Sequence, residues 1–190
     1  MTMTVKRRRD DRTPRVLMHR VADVRGGVSV NVTELGGDYL REGTVLSAPV
    51  NGICHVVKVA QVAAAVEDAA TTVKVSKFHN LKVGDAVLTA TGGVAVTIKA
   101  IEEGKTYDTL TLSATLGAIA KDGFLVEAKV AADGTIAKGE LKYEPFAVNG
   151  TGKPVIQGTN LDTDAWLIAV TKGNPLPGFV ADKLKGIINY

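Results

Sequence analysis

The chain has one cysteine, one tryptophan and few aromatic residues of any kind, 5% of its 190 residues. A lone cysteine, Cys54, cannot form an intrachain disulfide, so the chain must hold itself together by packing. Within Ile53-Cys54-His55-Val56-Val57 the thiol has the setting of a small core residue, which fits folding in a reducing cytoplasm. The scarcity of aromatics removes the usual stacking surfaces for single-stranded nucleic acid or sugar rings. Long apolar runs are missing too: none reaches the ~20 residues that a membrane-spanning helix needs. The basic N-terminus is not followed by the apolar stretch of a signal peptide, so no export and no membrane partner are expected.

Val, Ala and Thr are abundant, in short alternating runs separated by 20 glycines. Glycine at that frequency interrupts helices before they can propagate, whereas alternation at period two is the pattern of half-buried strands. An all-β fold follows. Val16-Leu17-Met18, Val28 to Thr33, Tyr39 to Leu46 and Ile53 to Val59 read as strands or turns entering strands. So do Gly134-Thr135-Ile136, Pro145 to Val148 and Trp166 to Val170. Ala60 to Ala70 is ambiguous: alanine favours helix, but strand patterning on both sides favours an extended segment. Phe179, Val180, Leu184 and Ile187 place a short terminal helix over Gly178–Ile187.

The middle of the chain repeats itself. Thr72-Val73-Lys74-Val75-Ser76 leads through a loop to Gly84-Asp85-Ala86-Val87-Leu88, and Thr109-Leu110-Thr111-Leu112-Ser113 leads through a similar loop to Asp122-Gly123-Phe124-Leu125-Val126. Gly84, Asp85, Asp122 and Gly123 are structural turn residues, glycine permitting the tight bend and aspartate bonding nearby amides. Two such units imply a small pseudo-symmetric barrel or sandwich over residues 70–129, inserted into a base formed by 16–69 and 130–190. A solenoid would need about three repeats or more.

The net charge of +3 is concentrated at one end. Lys6, Arg7, Arg8, Arg9, Arg12 and Arg15 face only Asp10 and Asp11 within residues 1–15. The remainder is close to neutral, so nucleic acid is not the expected partner. The segment reads instead as an arm for an acidic partner surface, or one that adds a strand to its sheet.

No catalytic constellation is legible. His19, His55 and His79 lack metal-ligand spacing, and adjacent Cys54 and His55 point to opposite faces of a strand. Asp162 and Asp164 resemble the start of a calcium loop, without the glycine and the bidentate glutamate that such a loop requires. Gly26-Gly27, Gly36-Gly37 and Gly92-Gly93 are turns, not a phosphate-binding or dinucleotide fingerprint. No enzyme activity, metal or cofactor is expected.

Arg41-Glu42-Gly43-Thr44-Val45-Leu46, Phe78-His79-Asn80-Leu81-Lys82-Val83-Gly84-Asp85, Tyr107-Asp108-Thr109-Leu110-Thr111-Leu112 and Leu176-Pro177, in that order, resemble the head decoration or head-fiber type proteins of phages and prophages of Bacteroides-like gut bacteria. The resemblance spans most of the chain from about Val16. The chain is also similar to lambda-type decoration proteins, whose β-rich bodies sit as trimers on capsid three-fold axes with an N-terminal arm on the shell. It departs from them in length and in its middle barrel. The resemblance implies a homotrimeric virion protein, made in the host cytoplasm, that binds the major capsid protein on the capsid exterior. The alternative is a head-fiber or adhesin module that binds host surface glycans.

Overall fold

The computed structural model describes residues 15–131, 139–156 and 158–190, and within them the fold is all-β. The expected strand Gly134-Thr135-Ile136 lies outside the described residues. The strands are β1 (Leu17–Asp23), β2 (Val28–Val30), β3 (Tyr39–Leu40), β4 (Val45–Ser47), β5 (Ile53–Cys54), β6 (Val59–Gln61), β7 (Thr72–Ser76) and β8 (Ala86–Leu88). They continue with β9 (Ala95–Glu103), β10 (Tyr107–Leu112), β11 (Phe124–Ala128), β12 (Pro145–Asn149), β13 (Lys153–Pro154), β14 (Leu161–Thr163), β15 (Ala165–Thr171) and β16 (Ile187–Asn189). One helix, α1, covers Gly178–Ala181.

Strands from the two ends of the chain build the base. Its main sheet runs β1-β15-β12-β4, with β16 alongside β15; smaller sheets pair β14-β2-β5 and β13-β3. The middle of the chain forms a separate six-stranded sheet in the order β6-β11-β8-β9-β10-β7. Its end strands are joined where Val62 bridges Val75 and the Ala63 amide donates to the Lys74 carbonyl at 2.8 Å. The sheet therefore curls back on itself into a barrel-like body. Alternation dictates which residues fill it: Val73 and Val75 of β7, and Leu110 and Leu112 of β10, are buried while Thr72 and Lys74 are exposed.

The two sequence repeats pair with each other. Val73 of β7 lies opposite Leu110 of β10, and Leu88 of β8 opposite Val126 of β11. Their turns share a pair of corresponding backbone hydrogen bonds. The amides of Gly84 and Asp122 donate across to Ile98 and Val62, and those of Asp85 and Gly123 close back on Lys82 and Ala120. Gly84 and Asp122, first in their respective turns, both have positive φ, 94° and 65°. Glycine adopts that conformation freely, and aspartate is among the few other residues that tolerate it.

Two elements differ from expectation. The barrel-like sheet starts at Val59, eleven residues ahead of Ala70, because β6 pairs with β11; from there Ala60–Ala70 forms no helix, bridging at Val62 and Val66 and turning at Asp68–Ala69. Ala60, Val62 and Val66 are buried in the barrel core, so packing overrides the helix propensity of alanine. The terminal helix is only one turn. At Gly186 the chain passes so close to the Leu167 carbonyl that a Cβ would meet it at 2.2 Å. β-Branched Ile187 and Ile188, well suited to strand, then pair in parallel with β15.

A shared apolar cluster joins base and barrel: Val45, Val148, Ala169 and Val180 from the base pack with Ala86, Leu88, Ala95 and Val126.

Candidate interaction surface and the ionic network at the junction

Strand β1 emerges directly from the basic segment. Of that segment, Arg15 is within the described residues; Lys6, Arg7, Arg8, Arg9 and Arg12 lie outside them. Glu42 fixes the exit point, its Oε1 accepting the amides of Val16 and Leu17 at 3.1 and 2.7 Å. Gly43 is required next to it: its φ is +82°, and a Cβ there would stand 2.7 Å from the Val16 side chain. Beyond Leu17 the strand is exposed from Met18 through Val21, side chains of both faces included. Among the described residues only one edge of β1 is paired, to β15, with bulges at three points. Beside it lies an open hollow of about 750 Å³ lined by Arg15, Met18, His19, Arg20, Tyr39 and Glu42, among others. Arg20 is held in place by the Gly150 carbonyl (2.8 Å) and by the Trp166 ring, 5.5 Å from its guanidinium carbon.

The three histidines are not brought together. His19 is exposed on β1. Cys54 is buried in the base core, where burial pushes its thiol pKa up, while its neighbour His55 faces away to stack on Tyr143 at 4.3 Å. His79 is buried; its Nδ1 accepts the Leu81 amide (3.0 Å) and its Nε2 lies 3.3 Å from Asp108. Burial outweighs the pull of Asp108 and lowers the His79 pKa, so the neutral ring donates from Nε2 to the carboxylate. Both nitrogens are thereby committed to structure. No group of three or more His, Cys, Asp or Glu among the described residues is placed to hold a metal. No helix among them is long and apolar enough to cross a membrane.

A charged network at the base–barrel junction had little announcement in the sequence. Lys58, 1% exposed, places Nζ 2.6 Å from Asp85 Oδ2 and 3.1 Å from Glu127 Oε1. Lys142 approaches the same Glu127 oxygen at 2.8 Å and reaches Glu34 at 3.2 Å. Glu34 in turn accepts the Tyr143 hydroxyl at 2.7 Å and lies 3.0 Å from His55 Nδ1. Burial raises the Glu127 pKa against the opposing effect of the two lysines. The one available sign was a single charge in each of two apolar runs, Val56-Val57-Lys58-Val59-Ala60 and Leu125-Val126-Glu127-Ala128. Of the two turn aspartates, Asp85 belongs to this arrangement, its Oδ2 also accepting the Lys82 amide at 2.9 Å, whereas Asp122 lies outside it and accepts from the exposed Gln61 amide at 3.3 Å.

Compared with family models, curated proteins and solved structures, the chain finds no match. Function must be argued from the residues.

Proposed function

We propose that this chain is a virion structural protein that decorates a phage capsid, docking through β1 and the basic segment that leads into it. The observation that carries this reading is β1 itself, a seven-residue strand with one edge unpaired among the described residues and Met18 through Val21 exposed, beside a hollow bearing Arg15, His19 and Arg20. A free edge offers a row of backbone donors and acceptors, and the natural occupant is a strand of another chain. Local positive charge selects an acidic one and speeds its capture. The sequence resemblance names that partner as the major capsid protein. The barrel-like body, joined to the base through a shared apolar cluster, projects outward as a rigid unit, and trimers bridge neighbouring capsomers.

Mixing the purified protein with bare shells tests this. Saturable, stoichiometric binding is expected, weakened by salt and by Arg15→Glu, and abolished by deleting residues 1–15. Shells that bind nothing, or bind the deletion variant equally well, overturn the docking mode. Light scattering on the free protein is expected to give the mass of a trimer.

A further inference from the structure

Lys58 and Asp85 are arranged as reactants as well as an ion pair. The Lys58 side chain is fully buried, Asp85 and Glu127 nearly so. A nitrogen hydrogen-bonded at 2.6 Å to a carboxyl oxygen has the carboxyl carbon within about 3.5 Å, the range from which bonds form when reactants are held in place. Glu127 touches the same nitrogen through Oε1, while its Oε2 is buried with no hydrogen-bond partner among the described residues. An orphaned buried carboxyl oxygen is costly, and it leaves one position on Glu127 open to take up and return a proton.

We infer that Lys58 and Asp85 join in an intramolecular amide bond, with Glu127 as the proton relay. A proton passed from the Lys58 ammonium to the Asp85 carboxylate leaves an amine beside a carboxylic acid, without net charge on either. Nζ adds to Cγ, Glu127 carries a second proton from the nitrogen to the departing hydroxyl, and the Cγ–O bond breaks. One C–N bond has formed, one C–O bond has broken, and one water leaves with two of the nitrogen's protons; nothing is oxidised or reduced. Burial supports both steps. The interior penalises the charged pair more than the neutral amide that replaces it, and excluding bulk water disfavours hydrolysis. The product would tie the chain just ahead of β6 to the turn before β8, closing a loop across 27 positions of sequence. This inference does not depend on the capsid reading.

The test is the intact mass of the purified full-length protein, measured after denaturation. The expected value is lower than the sum of the residues by one water molecule, and proteolysis with fragmentation is expected to give a branched peptide linking Lys58 to Asp85. Glu127→Gln, which keeps both reactants and the shape of the relay, is expected to show the full mass while retaining a native circular-dichroism spectrum. Wild-type protein at full mass overturns the inference even if every variant fails to fold. So does a water loss that fragmentation places elsewhere. An intact link in Glu127→Gln overturns the assigned role of Glu127.

Discussion

Replacing Glu34 tests whether the junction network stabilises the protein. Its carboxylate receives the Tyr143 hydroxyl at 2.7 Å and Lys142 at 3.2 Å on one oxygen, and faces His55 at 3.0 Å with the other. The side chain is 23% exposed, so its bonds are only partly screened. A hydrogen bond to a charged group contributes about 1.5–3 kcal/mol, but bonds in one network are coupled and do not add. Glu34→Gln keeps the shape and removes the charge, and is expected to cost about 2 kcal/mol at neutral pH. Burial pushes the Glu34 pKa up, but Tyr143, Lys142 and His55 outweigh it and hold the group below the ordinary carboxyl range. The unfolded chain, with a pKa of about 4.3, therefore takes up a proton before the folded one. The stabilisation is complete above that value and lost as pH falls through the folded pKa. Urea denaturation followed by Trp166 fluorescence, at neutral pH and near pH 3, measures both effects. The gap between wild type and Glu34→Gln should close at the lower pH. A difference below about 0.5 kcal/mol at neutral pH, within the range of ordinary surface substitutions, or one that persists unchanged in acid, would refute the reasoning.

His79 gives a second handle on pH, of the same sign but in a higher range. Its folded pKa is lowered by burial, so the unfolded chain binds a proton first, and stability should fall as pH drops below about 6.5. The urea midpoint of His79→Gln should depend less on pH between neutral and pH 5.5, and equal slopes would show that the ring is not held neutral. Leu110→Ala removes a fully buried side chain from the barrel core, at an expected cost of about 2–5 kcal/mol. Because barrel and base share an apolar cluster, the Trp166 transition in the base should move with it; an unmoved transition would mean that the two bodies unfold separately.

The sequence by itself determined the class of fold and the places where the chain turns. Period-two alternation marks Val73 and Val75, Leu110 and Leu112 as inward-facing, and glycine punctuation excludes long helices, because both are local consequences of backbone sterics and side-chain burial. The repeat was legible for the same reason, down to the turns at Gly84 and Asp122. What only the tertiary structure decided is which strands meet. Ala60–Ala70 has a local preference for helix, yet β11, Val75 and Ile119 supply strand and bridge partners that keep it out of one. The last residues leave their helix after one turn because β15 offers an edge to Ile187 and Ile188. The charged junction is the extreme case. Glu34, Lys58, Asp85, Glu127 and Lys142 are scattered over more than a hundred residues and follow no shared motif. Each strand's alternation says which face a side chain occupies, but the pairing of distant strands decides what it meets there. A lysine inside an apolar run reads as an irregularity until the barrel folds against the base and brings two carboxylates to its nitrogen.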